Sequence, residues 1–478
     1  MLFNSFIFLL FFPIVFGFYW FVFKRNLKGQ NFFLLVVSYV FYGWWDWRFL
    51  LLIAFSSAVD FFVSNQMSKS DIISKRKLLL WVSLAVNLGL LGFFKYANFF
   101  IDSFAELLAS VGMQANYSSL QIILPVGISF YTFQTLSYTL DVYAKKMEPT
   151  KDPIAFFAYV SFFPQLVAGP IERAANLLPQ FFKQREFNYI KAKDASRQIL
   201  WGFFKKMVIA DTCASHVDYI FGNHGELQAS LLVLGVIYFA FQIYGDFSGY
   251  SDIAIGTARL LGFDLMTNFK IPYFSRNVAE FWKRWHISLS TWFRDYVYIP
   301  LGGNRRKLWR NVFNVMVVFT VSGFWHGANW TFIIWGALNG LFFIPLFLLG
   351  KNKVESTVVA QNRLLPSFKD LIRMGSTFFL ICTAWVFFRA ESVGKALQYL
   401  SNTVDTSILS SPGNPNLTFM PMILIPLLLL IEWLLRKKEH QFDISSLPIW
   451  LRWPAYYILI GMIIQFGQGD VSFIYFQF

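Results

Sequence analysis

The run R-N-V-A-E-F-W-K-R-W-H-I-S-L-S-T-W-F-R-D-Y-V-Y-I-P-L-G-G-N-R-R-K-L-W-R-N occupies Arg276 to Asn311, and its apolar continuation ends in G-F-W-H-G-A-N-W at Gly323 to Trp330. Two of only five histidines fall in this stretch. His286 lies in a basic, Trp-rich segment. His326 lies in one apolar enough to sit in a lipid bilayer, where a polar side chain normally faces a cavity or a partner.

The rest of the composition agrees with a membrane reading. Of 478 residues, 56% are hydrophobic, 20% aromatic and only 14% charged, which excludes a chain of two or three soluble domains. The 59 phenylalanines decide the matter, because so many large apolar rings cannot all be buried in a water-soluble core of this size. The expected fold is an all-α polytopic membrane protein. Its net charge of +14 is read as basic cytoplasmic loops and not as a nucleic-acid footprint, so no nucleic-acid partner is expected. Cys213 and Cys382 stand in apolar surroundings and read as packing residues. No H-x-x-x-H, H-E-x-x-H or C-x-x-C pairing points to a metal.

A bilayer core takes about 20 apolar residues per helix, and this ruler gives about 11 to 13 membrane segments. Leu2 to Phe23 reads as a retained first span. Lys24, Arg25 and Lys28 after it place that loop in the cytoplasm and the N-terminus outside. Lys69, Lys75, Arg76 and Lys77 agree. Leu78 to Phe94 is a span, Asn98 to Val111 a shorter amphipathic stretch that lies along the outer face or partly enters it, and Gln121 to Tyr143 a return span. Ile154 to Val167 is short and stops at Ala168-Gly169-Pro170, as a re-entrant half-helix would. Lys205 and Lys206 read as interfacial at the start of Ile199 to Phe221. Leu227 to Leu261 is long enough for a span with a kink, with Gly245, Gly249 and Gly256 allowing the kink or close approach of helices. The basic block Asn268 to Arg310 lies at the cytoplasmic face. The division is one membrane domain over 1–478: N-terminal spans 1–150, core 151–350 and C-terminal spans 351–478.

His326 lies sixteen positions beyond Arg310, roughly 24 Å of helix at about 1.5 Å per residue, which puts it deep in a ~30 Å core. Gly323 and Gly327 let backbone or substrate approach its ring. It is a functional-site candidate, against the alternative of a hydrogen-bonded structural histidine. His286 sits among Trp282, Trp285, Trp292 and Phe293, with Lys283, Arg284 and Arg294 on the polar face. On these residues alone, the plain reading is an interfacial amphipathic helix with a wet histidine. The polar run Q-I-Y-G-D-F-S-G-Y-S-D at Gln242 to Asp252 is unfavourable in lipid unless paired or lining water, and is expected to border the cavity or to form a hydrogen-bond network. His216, His224 and His440 read as solvated segment ends.

These motifs resemble the membrane-bound O-acyltransferase family, and within it the bacterial branch that acetylates exopolysaccharides such as alginate. The resemblance rests on P-V-G-I-S-F-Y-T-F-Q at Pro125 to Gln134, F-P-Q-L-V-A-G-P-I at Phe163 to Ile171 and Y-G-D-F-S-G-Y-S-D at Tyr244 to Asp252. It rests equally on the W-H-I-S-L-S and I-P-L-G-G-N segments and on V-S-G-F-W-H-G-A-N-W at Val321 to Trp330. It covers nearly the whole chain, and neither family histidine is missing.

The resemblance implies a funnel-like helical fold around a central tunnel, with His326 as the principal catalytic histidine and His286 as the second. It implies acetyl-CoA as donor substrate with no bound cofactor, an extracytoplasmic polysaccharide acceptor, and a site in the bacterial cytoplasmic (inner) membrane. A periplasmic or surface partner would complete the transfer. The substrate-binding residues expected with it are Asp246, Tyr250, Trp285, Arg305, Arg306 and Asn329, the two arginines with Lys307 attracting donor phosphates. A desolvated imidazole stays neutral, so His326 would act as general base, and His286 would position the donor or stabilise the oxyanion. D-alanyl transfer to teichoic acid, a transporter or flippase, and a non-catalytic recruiting scaffold are the competing readings.

Overall fold

The computed structural model describes residues 1–113, 120–167, 169–352, 358–414, 416–438, 440, 442–467 and 473–474. All regular structure among them is helical. A chain this apolar leaves its backbone no water to bond to, so each segment closes its own hydrogen bonds. Six helices are long and apolar enough to cross a bilayer: Arg48–Ser68, Ile73–Ser110, Ala229–Leu260, Trp330–Leu348, Phe368–Arg389 and Ile449–Phe466. Shorter apolar helices at Phe6–Val22, Pro153–Leu166 and Met420–Leu434 join them. The chain divides into two compact units.

The first unit comprises Met1–Tyr189 with Ala258–Met266. Its helices Arg48–Ser68, Ile73–Leu91 and Ile128–Tyr143 meet around a buried carboxylate, Asp60. Asn87 Nδ2 donates to it at 2.9 Å and Thr139 Oγ1 at 3.2 Å, while Ser56 and Thr135 hydroxyls donate to Asn87 Oδ1. The fully satisfied cluster ties three helices through one acid.

Two expectations change in this unit. The span read from Gln121 to Tyr143 begins as a helix only at Ile128, after Gly127 at φ 76°, and fourteen of its sixteen residues are buried. It is an interior helix, not a lipid-facing one, because its Ser, Thr and Gln side chains find protein partners. The stretch Ala97–Ser110 continues from Ile73–Leu91 through a single π-helical turn, Gly92–Tyr96, instead of lying apart along a face. No proline interrupts the run, so one turn absorbs the change of register. The short segment at the Gly-Pro break forms Pro153–Ser161 and Phe163–Leu166; the second of these is buried, as are Gly169 and Pro170. Ala168 lies outside the described residues.

The second unit comprises Ile190–Thr257 with Thr267–Phe478. Its axis is the helix Ala229–Leu260, which runs unbroken for 32 residues. The expected glycines bring a second helical run against it: a Cβ on Gly249 would lie 2.7 Å from the Gly202 carbonyl oxygen. That contact also decides where Lys205 and Lys206 point. They are 1% exposed instead of interfacial, carried inward on the π-helical turn Phe204–Ala210. Lys205 pairs with Asp252 at 2.6 Å, and Lys206 with Asp211 at 2.7 Å and Asp246 at 2.8 Å. The hairpin of Leu308–His326 and Trp330–Leu348 packs as closely. A Cβ on Gly323 would meet the Phe332 carbonyl oxygen at 2.2 Å.

Candidate active site

The sequence reads Phe281 to Asp295 as one amphipathic helix, but the structure breaks it at the histidine. Val278–Arg284 is a helix capped by Asn277, whose side chain accepts from the Glu280 amide at 2.8 Å. Ile287–Phe293 is a second helix. Between them His286 takes φ 42° and ψ 55°, a left-handed conformation that costs a residue with a Cβ about 1–3 kcal/mol unless its surroundings enforce it. The enforcing element is the strip around Asn268. The Ile287 amide donates to the Asn268 carbonyl at 3.0 Å, and the Lys270 amide to the Arg284 carbonyl at 2.9 Å.

The side chain of Asn268 holds the imidazole as well. Its Oδ1 lies 3.1 Å from His286 Nδ1 and accepts from Ser288 Oγ at 2.9 Å and from the Ser288 amide at 3.3 Å. Its Nδ2 donates to Ser251 Oγ at 3.2 Å. Asn268 is 0% and His286 1% exposed, so this is a buried centre and not a wet interfacial face. His286 Nε2 is buried with no hydrogen-bond partner among the described residues.

His326 ends the helix Leu308–His326 and is 3% exposed. Trp325, Trp335 and Phe388 surround it with ring centroids at 5.0, 5.1 and 5.5 Å. The sequence sets the two histidines at different depths, His286 at the cytoplasmic face and His326 deep. The structure puts their ring centroids 6.4 Å apart, so they share one centre. Counting rise along one helix cannot reveal this, because the chain between them turns back.

A cavity of about 490 Å³ lies beside that centre, walled in part by Ile287 and Ser322, and neither histidine lines it. Lys283, Arg294 and Asn304 give it polar walls, and Trp282, Phe319 and Trp335 aromatic ones. Trp335 is also the ring against His326. Trp282 buries its indole N–H with no hydrogen-bond partner among the described residues. Beside it, burial works to raise the Glu280 carboxyl, but hydrogen bonds from Arg276 and the charge of Arg284 hold it below the usual carboxylate range.

The structure does not gather the expected substrate-binding residues in one place. Arg305 and Arg306 are exposed on the turn beyond Asn304. Trp285 is buried in an aromatic stack with Phe281 and Trp385. Asp246 is bonded to Lys206 and accepts from the Ile474 amide, and the Lys206 ammonium lies 5.6 Å from the Tyr250 ring. Asn329 caps the helix Trp330–Leu348 and donates to the Glu391 carbonyl at 3.1 Å. His440, expected in solvent, is buried at 4% exposure with Nε2 2.9 Å from Asp194 Oδ1. His216, 6% exposed, is bonded to Thr212 and Thr418. Asn268, the residue that orients His286, was legible only as the start of a basic block. Eighteen positions separate the pair and no motif links them.

A polytopic helical membrane protein with two buried imidazoles beside an aromatic-walled cavity is the class that fold and site define. Residues 149–348 match the membrane-bound O-acyltransferase family. A probable alginate O-acetylase of Pseudomonas aeruginosa is 42% identical over 82% of this chain and 73% of its own length. A peptidoglycan O-acetyltransferase of Helicobacter pylori is 31% identical over 100% of this chain and 98% of its own. A teichoic acid D-alanyltransferase of Streptococcus thermophilus is 30% identical over 45% of this chain and 55% of its own. The chain belongs to the membrane-bound O-acyltransferase family, and it is an O-acyltransferase.

Proposed function

We propose that this enzyme moves an acetyl group from cytoplasmic acetyl-CoA to hydroxyls of an extracytoplasmic polysaccharide. It would work in the bacterial cytoplasmic membrane, with its N-terminus outside and a periplasmic or surface partner supplied in trans. The observation that carries the reading is the His286–His326 pair, 6.4 Å apart, with Trp335 both against His326 and on the wall of a cavity that has cationic and aromatic side chains. A thioester arm suits such a cavity. Lys283 and Arg294 on its wall, and Arg305 and Arg306 on the turn beyond Asn304, supply charge for the donor's phosphates.

In this mechanism His326 accepts the proton of the attacking hydroxyl while the C–O bond forms. The C–S bond then breaks, and the departing thiolate takes the proton. General-base assistance of this kind contributes about 10²–10⁴ in rate. His326→Ala is therefore expected to lower acetylation by about that factor at unchanged protein level. Normal acetylation in cells expressing that variant would remove His326 from the chemistry. Substrate flux through purified protein without loss of acetyl from acetyl-CoA would replace the enzyme reading with transport.

The acceptor proposed is an alginate-like exopolysaccharide, after the relatives of higher identity. The full-length match to a peptidoglycan O-acetyltransferase supports peptidoglycan as a second reading. The acetyl content of exopolysaccharide and of peptidoglycan, each measured with and without the gene, separates the two.

A further inference from the structure

The orphaned nitrogen of His286 bears on what this histidine does. Asn268 Oδ1 accepts from the Ser288 amide, a group that can only donate, so the orientation of the Asn268 side-chain amide is fixed and Oδ1 is the atom facing His286 Nδ1. An unprotonated Nδ1 would set its lone pair against the lone pairs of Oδ1 at 3.1 Å. The rival donor to Nδ1 is Ser288 Oγ, but it lies 3.4 Å from that nitrogen and 2.9 Å from Oδ1. Nδ1 is therefore the protonated nitrogen of the neutral ring. The buried, unpartnered Nε2 carries the lone pair.

We infer that Asn268 is a positioning residue that fixes the tautomer of His286, so that His286 takes part in acyl transfer as a hydrogen-bond acceptor through Nε2. Of the two roles expected for His286, positioning the donor or stabilising the oxyanion, this excludes a hydrogen bond to the oxyanion from Nε2, which has no proton to give. The geometry is built to persist. Asn268 grips the left-handed turn by its main chain at Ile287 and by its side chain at His286 and Ser288, and is itself anchored to Ser251. The inference rests on the acyl-transfer reading for its consequence, and on geometry alone for the tautomer.

Two measurements keep those apart. ¹⁵N spectra of the histidine-labelled full chain in lipid nanodiscs, with His286→Gln assigning the signal, report which ring nitrogen is protonated. Protonated Nδ1 and bare Nε2 are expected, whatever reaction the protein catalyses, and a proton on Nε2 overturns the inference. The second measurement is acetyl-CoA turnover by Asn268→Asp and Asn268→Leu at matched protein level. Asp keeps an acceptor at Oδ1 but brings an acid into a buried site, whereas Leu keeps shape and apolarity. A packing role favours Leu over Asp. The positioning role favours Asp over Leu, with kcat down about 10- to 100-fold in the Leu variant, the order of loss seen when the partner orienting a metal-bound histidine is removed, and KM little changed. The order Leu above Asp overturns the proposal. Should the Leu variant fail to accumulate, the nitrogen spectrum of the wild-type protein still decides it. A wild-type protein that shows the expected tautomer but no acetyl-CoA turnover rejects the acyl-transfer reading and leaves the positioning intact.

Discussion

Lys206 shows how a charge becomes structural. At 1% exposure it faces Asp211 at 2.7 Å and Asp246 at 2.8 Å, so one ammonium offsets a buried carboxylate and a partly buried one. Removing it leaves both acids without their counter-charge, and breaking a buried pair from one side costs about 3–5 kcal/mol. Lys206→Met should lower the thermal stability of the purified protein by that order, with Asp246→Asn in the Met background recovering part of it. Stability unchanged in Lys206→Met would show that water reaches the cluster. The pattern D-F-S-G-Y-S-D was legible as polar groups needing partners, but the partners are two lysines read as interfacial. Hydropathy assigned them outward because it scores a residue without knowing which helix it meets.

The hairpin that carries His326 depends on contact between backbones. Ala is a better helix former than Gly by about 1 kcal/mol, so Gly323→Ala would stabilise an isolated helix. Here the new methyl would lie 2.2 Å from the Phe332 carbonyl oxygen and 3.0 Å from the Gly336 Cα, and no rotamer change relieves a clash with backbone. Overpacking wins, at about 1–3 kcal/mol, and activity should fall with it because His326 lies one turn away. Gly89→Ala is the control: its Cβ would meet nothing within 4 Å, and melting should be unchanged or raised. Equal melting temperatures for the two variants would refute the packing argument. The glycines beside His326 were visible as close-approach positions, but not that the approaching group is the next helix.

The cavity exists only in the assembled second unit, since its walls come from the helices Val278–Arg284, Ile287–Phe293, Leu308–His326 and Trp330–Leu348. Ser322 lines it one turn before His326. Ser322→Trp should fill the cavity beside the histidines, raising the KM for donor about tenfold or more, equivalent to about 1.4 kcal/mol, while the protein melts as before. Donor kinetics unaffected by that bulk would place the donor elsewhere.

Composition, basic loops and the aromatic histidine motifs were enough for an all-helical membrane protein, its family and the two histidines. Those properties depend on what each residue is and on neighbours a few positions away. Tertiary structure alone brought His286 beside His326, turned Lys205 and Lys206 inward and set Asn268 against the imidazole. In each case the partners lie far apart in the chain or across a backbone break. Only packing makes a left-handed turn at His286 and a buried ion pair at Lys206 less costly than the alternatives.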